Sequence, residues 1–183
     1  MEEFAAPRGT QFRLGADFGS GGPDPTVLVR CFIEGKKLYV DHEAYQLECE
    51  IDEMSELFLT VPEAEKWPIV GDSARPDLIT HLVKKGFHIT GAIKGRGSVE
   101  AGVQWLQNYE LIVHPRCQHT IDELSHYSRQ IDKLTGEVLP ALEDENNHVI
   151  DALRFSCENV RRLYKEVAPS NVIPIMSRWN RAA

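Results

Sequence analysis

The sequence predicts an α/β domain: a mixed sheet that opens as a three-strand meander, continues as βα units flanked by helices, and carries a hairpin insertion before the last helix. Three observations lead there. Between Phe12 and Tyr45 lie three successive strand-like runs separated by turn residues, and from Ile51 onward helical stripes alternate with short apolar runs. The 183 residues, 42% hydrophobic and 26% charged, suit one domain of this class.

Phe12 to Asp17 is the first strand and ends on a carboxylate before the turn-rich stretch Gly19-Ser20-Gly21-Gly22-Pro23-Asp24-Pro25. Thr26 to Ile33 is rich in β-branched and apolar residues, Glu34-Gly35 punctuates it, and Lys37 to Tyr45 alternates through Leu38, Val40 and Tyr45. The period then changes. Ile51, Met54, Leu57 and Phe58 form a helical stripe with acids on the opposite face. Pro68 to Asp72 is a short buried-type strand that again ends on an aspartate. Arg75-Pro76 opens a helix with proline early, Leu78, Ile79, Leu82 and Val83 facing inward and Gly86 as its stop.

His88 to Ile93 is the next strand, and Ser98 is expected to cap a helix reaching about Asn108, with Val99, Val103 and Leu106 inward. Leu111 to His114 follows as a strand, Thr120 to His126 as a helical turn or two, and Tyr127 to Pro140 as a hairpin turning at Leu134-Thr135-Gly136-Glu137. Asn146 to about Lys165 reads as one closing helix. Strands alternating with helices at this spacing imply parallel pairing through crossovers. The expected organisation is a linker or expression-derived segment over 1–10, one domain over 11–166, and an extended tail over 167–183.

The formal charge of -8 argues at first against a nucleic-acid partner, which usually meets a basic surface. The charge is unevenly spread. Residues 41–66 carry nine acids against Lys66 alone, whereas 74–116 carry six bases against three acids. No apolar run approaches the about 20 residues of a membrane span. The acidic start Met1-Glu2-Glu3 lacks the basic and apolar regions of a secretory signal, so an intracellular protein is expected. Cys31, Cys49, Cys117 and Cys157 are scattered, without a C-x-x-C pair, and read as buried reduced thiols.

Three acids are the candidates for chemistry. Asp17 and Asp72 close strands, and in an open α/β sheet the carboxyl ends of strands line the ligand crevice. Asp151 lies in the last helix, where residues 144, 148 and 151 share a face, so that His148 and Asp144 are auxiliary candidates. Each has a local alternative: Asp17 as a turn residue, Asp72 as a helix cap, Asp151 as a solvated helix position. Carboxylates brought together repel unless a cation neutralises them, and oxygen-only ligands favour Mg²⁺ or Mn²⁺. Two such ions are the standard device for phosphodiester hydrolysis. Lys94-Gly95-Arg96-Gly97 is the best DNA-contact candidate: two glycines let the backbone approach a phosphate and two bases supply charge. Arg75 is a further phosphate contact or a partner for Asp72.

These residues resemble a known family. Gly15-Ala16-Asp17-Phe18-Gly19, Gly71-Asp72-Ser73-Ala74-Arg75-Pro76, Lys94-Gly95-Arg96-Gly97-Ser98-Val99 and Asn147-His148-Val149-Ile150-Asp151-Ala152-Leu153-Arg154-Phe155, in this order, are similar to the C-terminal nuclease domain of tailed-phage terminase large subunits of the headful-packaging type, over roughly residues 12 to 165. The resemblance implies a ribonuclease-H-like fold and an endonuclease that cuts concatemeric DNA with two Mg²⁺ or Mn²⁺ ions. It implies Asp17, Asp72 and Asp151 as catalytic and metal-binding triad. It also implies double-stranded DNA, an ATPase motor, a portal protein and a small subunit as partners, in the cytoplasm of a bacterial host. No G-x-x-x-x-G-K-[ST] phosphate loop is present, so no motor activity is expected of this segment. Two other functions compete: a docking module whose acidic 41–65 face and arginine-bearing tail bind packaging partners, and an actin-like ATPase fragment suggested by Asp17-Phe18-Gly19 followed by Thr26.

Overall fold

The computed structural model describes residues 3–19, 22–126, 129–131, 138–142 and 147–167. Strands β1 (Arg13–Asp17), β2 (Thr26–Glu34) and β3 (Lys37–Gln46) form the expected antiparallel meander. Helix α1 (Met54–Leu59), β4 (Ile69–Gly71), α2 (Pro76–Lys84), β5 (Ile89–Gly91), α3 (Ser98–Leu106) and β6 (Glu110–Val113) then alternate. Helix α4 (Gln118–His126), the paired strands β7 (Arg129–Ile131) and β8 (Val138–Leu142), α5 (His148–Ser156) and α6 (Glu158–Val167) complete the chain.

The six-stranded sheet runs β5-β4-β1-β2-β3-β6. β4 adds parallel to β1, β5 parallel to β4, and β6 parallel to β3 on the opposite edge. Strand alternation divides the core. Leu14, Ala16, Leu28 and Ile69 pack with Met54 and Phe58 of α1 and with Leu78 and Leu82 of α2. Val27, Val29, Cys31, Leu38 and Val40 pack with Leu106 of α3 and with Val149, Ala152 and Leu153 of α5. Helix α5 lies so close across β1 that a Cβ on Gly15 would fall 1.8 Å from the Ala152 carbonyl oxygen. Glycine is required there because backbone meets backbone.

Several boundaries differ from the sequence reading for local reasons. The closing helix is two helices, because the chain breaks at Cys157 and Glu158 starts a new one. Ser98 does not cap α3: it is the first helical residue, and the cap is Gly97 at φ 74°, a left-handed conformation that glycine adopts without strain. Ile51 lies in the turn before α1 and is 40% exposed, and Val83 and Val99 are also exposed, because α2 and α3 bury narrower stripes than their apolar content suggests. The hairpin exists and extends to Leu142 rather than Pro140. Its expected turn at 134–137, and the tail from 168, lie outside the described residues. All four cysteines are buried and unbridged, as expected. Phe4, within the segment expected to be linker, packs edge-on against Phe32, Tyr39 and His114. No helix among the described residues is long and apolar enough to cross a membrane.

Candidate metal centre

Strand parity decides which way the first two candidate acids point. Leu14 and Ala16 face α1 and α2, so Gly15 and Asp17 face α5. On β4, Val70 packs with Phe155 of α5, and Asp72 shares its parity one step beyond the strand. Ala16 pairs with Gly71, and the Asp72 amide donates to the Ala16 carbonyl at 3.0 Å. Asp17 and Asp72 therefore leave two adjacent parallel strands at the same level and on the same face.

Helix α5 supplies the third acid. Val149, Ala152 and Leu153 bury against the sheet, which turns His148, Asp151 and Arg154, three residues apart, along another side of the helix. Each carboxylate meets its own basic side chain. His148 Nδ1 lies 2.9 Å from Asp17 Oδ2, and its Nε2 lies 3.7 Å from Asp24 Oδ1. The Lys94 ammonium lies 2.5 Å from Asp72 Oδ1, which also accepts the Ala74 amide at 2.8 Å in a local turn. Arg154 Nη2 lies 2.7 Å from Asp151 Oδ1. Among the described residues, no group of three or more His, Cys, Asp or Glu side chains is gathered so as to hold one metal ion. The carboxylates converge as a neighbourhood rather than a closed ligand shell.

The electrostatics describe one of these acids, Asp151, as held partly against its preference. Burial raises the Asp151 carboxyl above its usual range, Arg154 pulls it back, the nearby Asp17 charge raises it further, and Lys94 lowers it. His148 is raised above 6.5, first by its hydrogen bond to Asp17. The donor set suits a hard cation: carboxylate oxygens, one already against the ammonium of Lys94, which stands where positive charge is accommodated. A cavity of about 90 Å³ opens beside Asp151, walled by Lys94, Ser98, Arg154, Glu158 and Arg161.

Arg75 makes a two-point pair with Asp77, at 3.1 and 2.8 Å. Arg96 is exposed on the loop before α3. Asp144 lies outside the described residues.

Sequence reading passed over four residues that build this neighbourhood. Glu123 of α4 is buried and accepts the Val149 and Ile150 amides at 2.8 and 3.2 Å, capping α5 in place of Asn147. Burial pushes its carboxyl up to about 7, although both amides and His148 oppose the rise. Glu43 of β3 caps α4 in the same way, through the His119 and Thr120 amides, both at 2.9 Å. Glu158 accepts the Ile93 amide. Arg154 is the fourth, and its spacing of three from Asp151 was a usable signal. The two glutamate caps act across long stretches of chain and leave no local pattern.

Comparison with known proteins gives one consistent answer. The family model for a terminase RNase H-like domain matches residues 17–159. The large terminase subunit of Bacillus phage SPP1 is 34% identical over 152 residues, covering 80% of this chain and 35% of that protein. The chain thus spans about a third of the length of that relative. The crystal structure of the SPP1 large-terminase nuclease domain with bound manganese superposes with a TM-score of 0.75 at 31% identity, covering 84% of this chain and 88% of the other. The phage P22 large-terminase nuclease domain, 19% identical, shares the fold with a TM-score of 0.69, covering 88% of this chain and 87% of the other.

Proposed function

The chain belongs to the terminase RNase H-like domain family, and on that premise we propose that it is a metal-dependent endonuclease that cuts concatemeric viral DNA at the initiation and termination of genome packaging, by two-metal phosphodiester hydrolysis with little sequence preference. One observation carries the reading. Asp17 and Asp72 leave adjacent parallel strands on the face that α5 covers, and Asp151 stands on α5 near enough to Asp17 for its carboxyl to be raised by that charge. Neither a turn nor a helix cap needs acids from three distant segments on one face.

In this reading Asp17, Asp72 and Asp151 hold Mg²⁺ or Mn²⁺, in keeping with the manganese in the SPP1 nuclease domain. When bound, the ions supply an activated water and neutralise charge on the leaving oxygen. The other residues act around them. His148 donates to Asp17 and sets the orientation of that carboxylate. Lys94 neutralises Asp72 until a cation replaces it, and its ammonium is then available to a DNA phosphate. Arg96 and Arg75 extend the phosphate-facing charge, and none of these groups reads bases, which accounts for low sequence preference. The activity belongs to a larger protein, with an ATPase motor, a portal protein and a small DNA-recognition subunit as partners in the host cytoplasm.

Plasmid cleavage in Mn²⁺ or Mg²⁺ tests the reading on Asp17→Asn, Asp72→Asn and Asp151→Asn. Each change removes a charged oxygen ligand and is expected to abolish cutting while the fold persists. Undiminished cleavage by all three variants would refute it.

A further inference from the structure

Arg154 is a buried charged group in the neighbourhood, its side chain only 6% exposed, and the proposed reaction has no step for it. A guanidinium is not buried without cause, since desolvating a charge is costly unless close partners offset it. Its partners are specific. Nε at 3.0 Å and Nη2 at 2.7 Å both approach Asp151 Oδ1, and Nη1 lies 3.5 Å from the Ser98 carbonyl oxygen. The same carbonyl lies 3.5 Å from Arg161 Nη1 of α6. Two guanidiniums therefore gather on the first residue of α3, at the end of the loop that carries Lys94 and Arg96.

Space for this arrangement is made on α3. A Cβ on Gly102 would lie 2.9 Å from Arg154 Cδ, 3.2 Å from its Nη1 and 3.3 Å from its Cγ. Glycine in a helix interior is unfavourable relative to alanine. Here it provides the slot in which the arginine stem lies.

We propose that Arg154 is a positioning residue for metal binding: it fixes the Asp151 carboxylate by holding Oδ1 from two nitrogens, so that Oδ2 would be the oxygen offered to a metal ion, and ties that carboxylate to the 92–97 loop through Ser98, with Gly102 as the slot that seats it. The proposal rests on the metal-centre reading above. A lysine supplies charge but only a single point of contact, so it cannot reproduce the fork. Groups that orient a ligand typically change metal affinity by about 10–100-fold when removed.

Isothermal titration of Mn²⁺ into Arg154→Gln, Arg154→Lys, Gly102→Ala and Asp151→Asn, beside the unaltered chain, tests it, with circular dichroism to confirm folding. Arg154→Gln is expected to bind Mn²⁺ about 10–100-fold more weakly, with Arg154→Lys only partly restored. Gly102→Ala is expected to weaken Mn²⁺ binding although alanine favours the helix, which separates seating of the arginine from stability in general. The thermal shift produced by Mn²⁺ gives a second reading, because a merely structural arginine would lower the metal-free melting temperature and leave that increment unchanged. Wild-type Mn²⁺ affinity in folded Arg154→Gln or Gly102→Ala, while Asp151→Asn loses binding, would overturn this role alone. Wild-type affinity in Asp151→Asn would overturn the metal centre and this role with it.

Discussion

Replacing Glu123 with glutamine isolates a pH dependence that the fold builds in. Glu123 is 9% exposed, and its carboxyl is pushed from 4.5 to about 7, chiefly by burial. A raised folded-state value means that the native protein holds this proton more tightly than the unfolded chain does. Its contribution is therefore fully present below about 4.5 and is lost as pH rises through about 7. At about 1.4 kcal/mol per pH unit, that interval amounts to about 3 kcal/mol of stability. His148 and Asp151 are raised as well and act in the same direction, whereas Asp41, lowered from 3.8, changes stability only below this interval. The wild-type slope alone is thus ambiguous. Glutamine keeps an oxygen for the Val149 and Ile150 amides but cannot ionise, so it removes one component of the slope. Urea denaturation of the metal-free chain from pH 4.5 to 8 should show Glu123→Gln losing less stability than wild type across the interval, and exceeding it near pH 8. Parallel stability curves for the two proteins would refute the assignment of a buried, reluctantly charged cap.

Other positions give sharper outcomes. Gly15→Ala should break the packing of α5 on β1, since the new Cβ would stand 1.8 Å from the Ala152 oxygen and 2.5 Å from the Ser156 nitrogen; a thermal melt should show a loss beyond the about 1–3 kcal/mol of ordinary overpacking. Arg30→Met leaves the buried Asp41, its partner at 2.6 Å, with His42 Nδ1 at 3.2 Å as its remaining ion-pair partner, and should cost up to about 3–5 kcal/mol by denaturant titration, with Arg30→Met combined with Asp41→Leu recovering most of it. Arg96→Gln should weaken DNA binding nearly independently of sequence and lower the salt dependence of the affinity by about one ion, read from fluorescence anisotropy across a salt series.

How far the chain declares this fold depends on the range of the forces involved. Strand alternation and the Asp17 and Asp72 positions are local features, and the parity that turns both acids toward α5 follows once Ala16 is paired with Gly71. The meander and the alternating units were legible for the same reason. Boundaries failed where a tertiary contact overrides periodicity. The single closing helix splits because α5 ends against the sheet and Glu158 is drawn to the Ile93 amide. The apolar Val83 and Val99 stay outside because the sheet beneath α2 and α3 accepts only two or three residues from each helix.

The charge distribution reads differently once partners are known. The acidic stretch from Asp41 to Glu65 suggests a solvated face for docking, yet Asp41 is buried against Arg30, Glu43 caps α4, Glu53 takes the Gln46 amide, and Glu63 takes Lys66 and Trp67. Those four carboxylates have internal uses, which weakens the docking alternative. The acids of the candidate centre also have partners, but of another kind. Arg154 sits on the same helix as its carboxylate and is enclosed, so it can be retained when a cation arrives. Lys94 reaches Asp72 from a glycine-flanked loop and is 46% exposed, so it can leave for water at little desolvation cost. A divalent ion at Asp72 must therefore compete with one mobile ammonium, whereas at Asp151 it joins a carboxylate already held. Substituting Lys94 with glutamine should then raise Mn²⁺ affinity, while substituting Arg154 lowers it. Opposite signs from two cations of equal charge would follow from their anchorage, and equal signs would show that net charge alone governs the site.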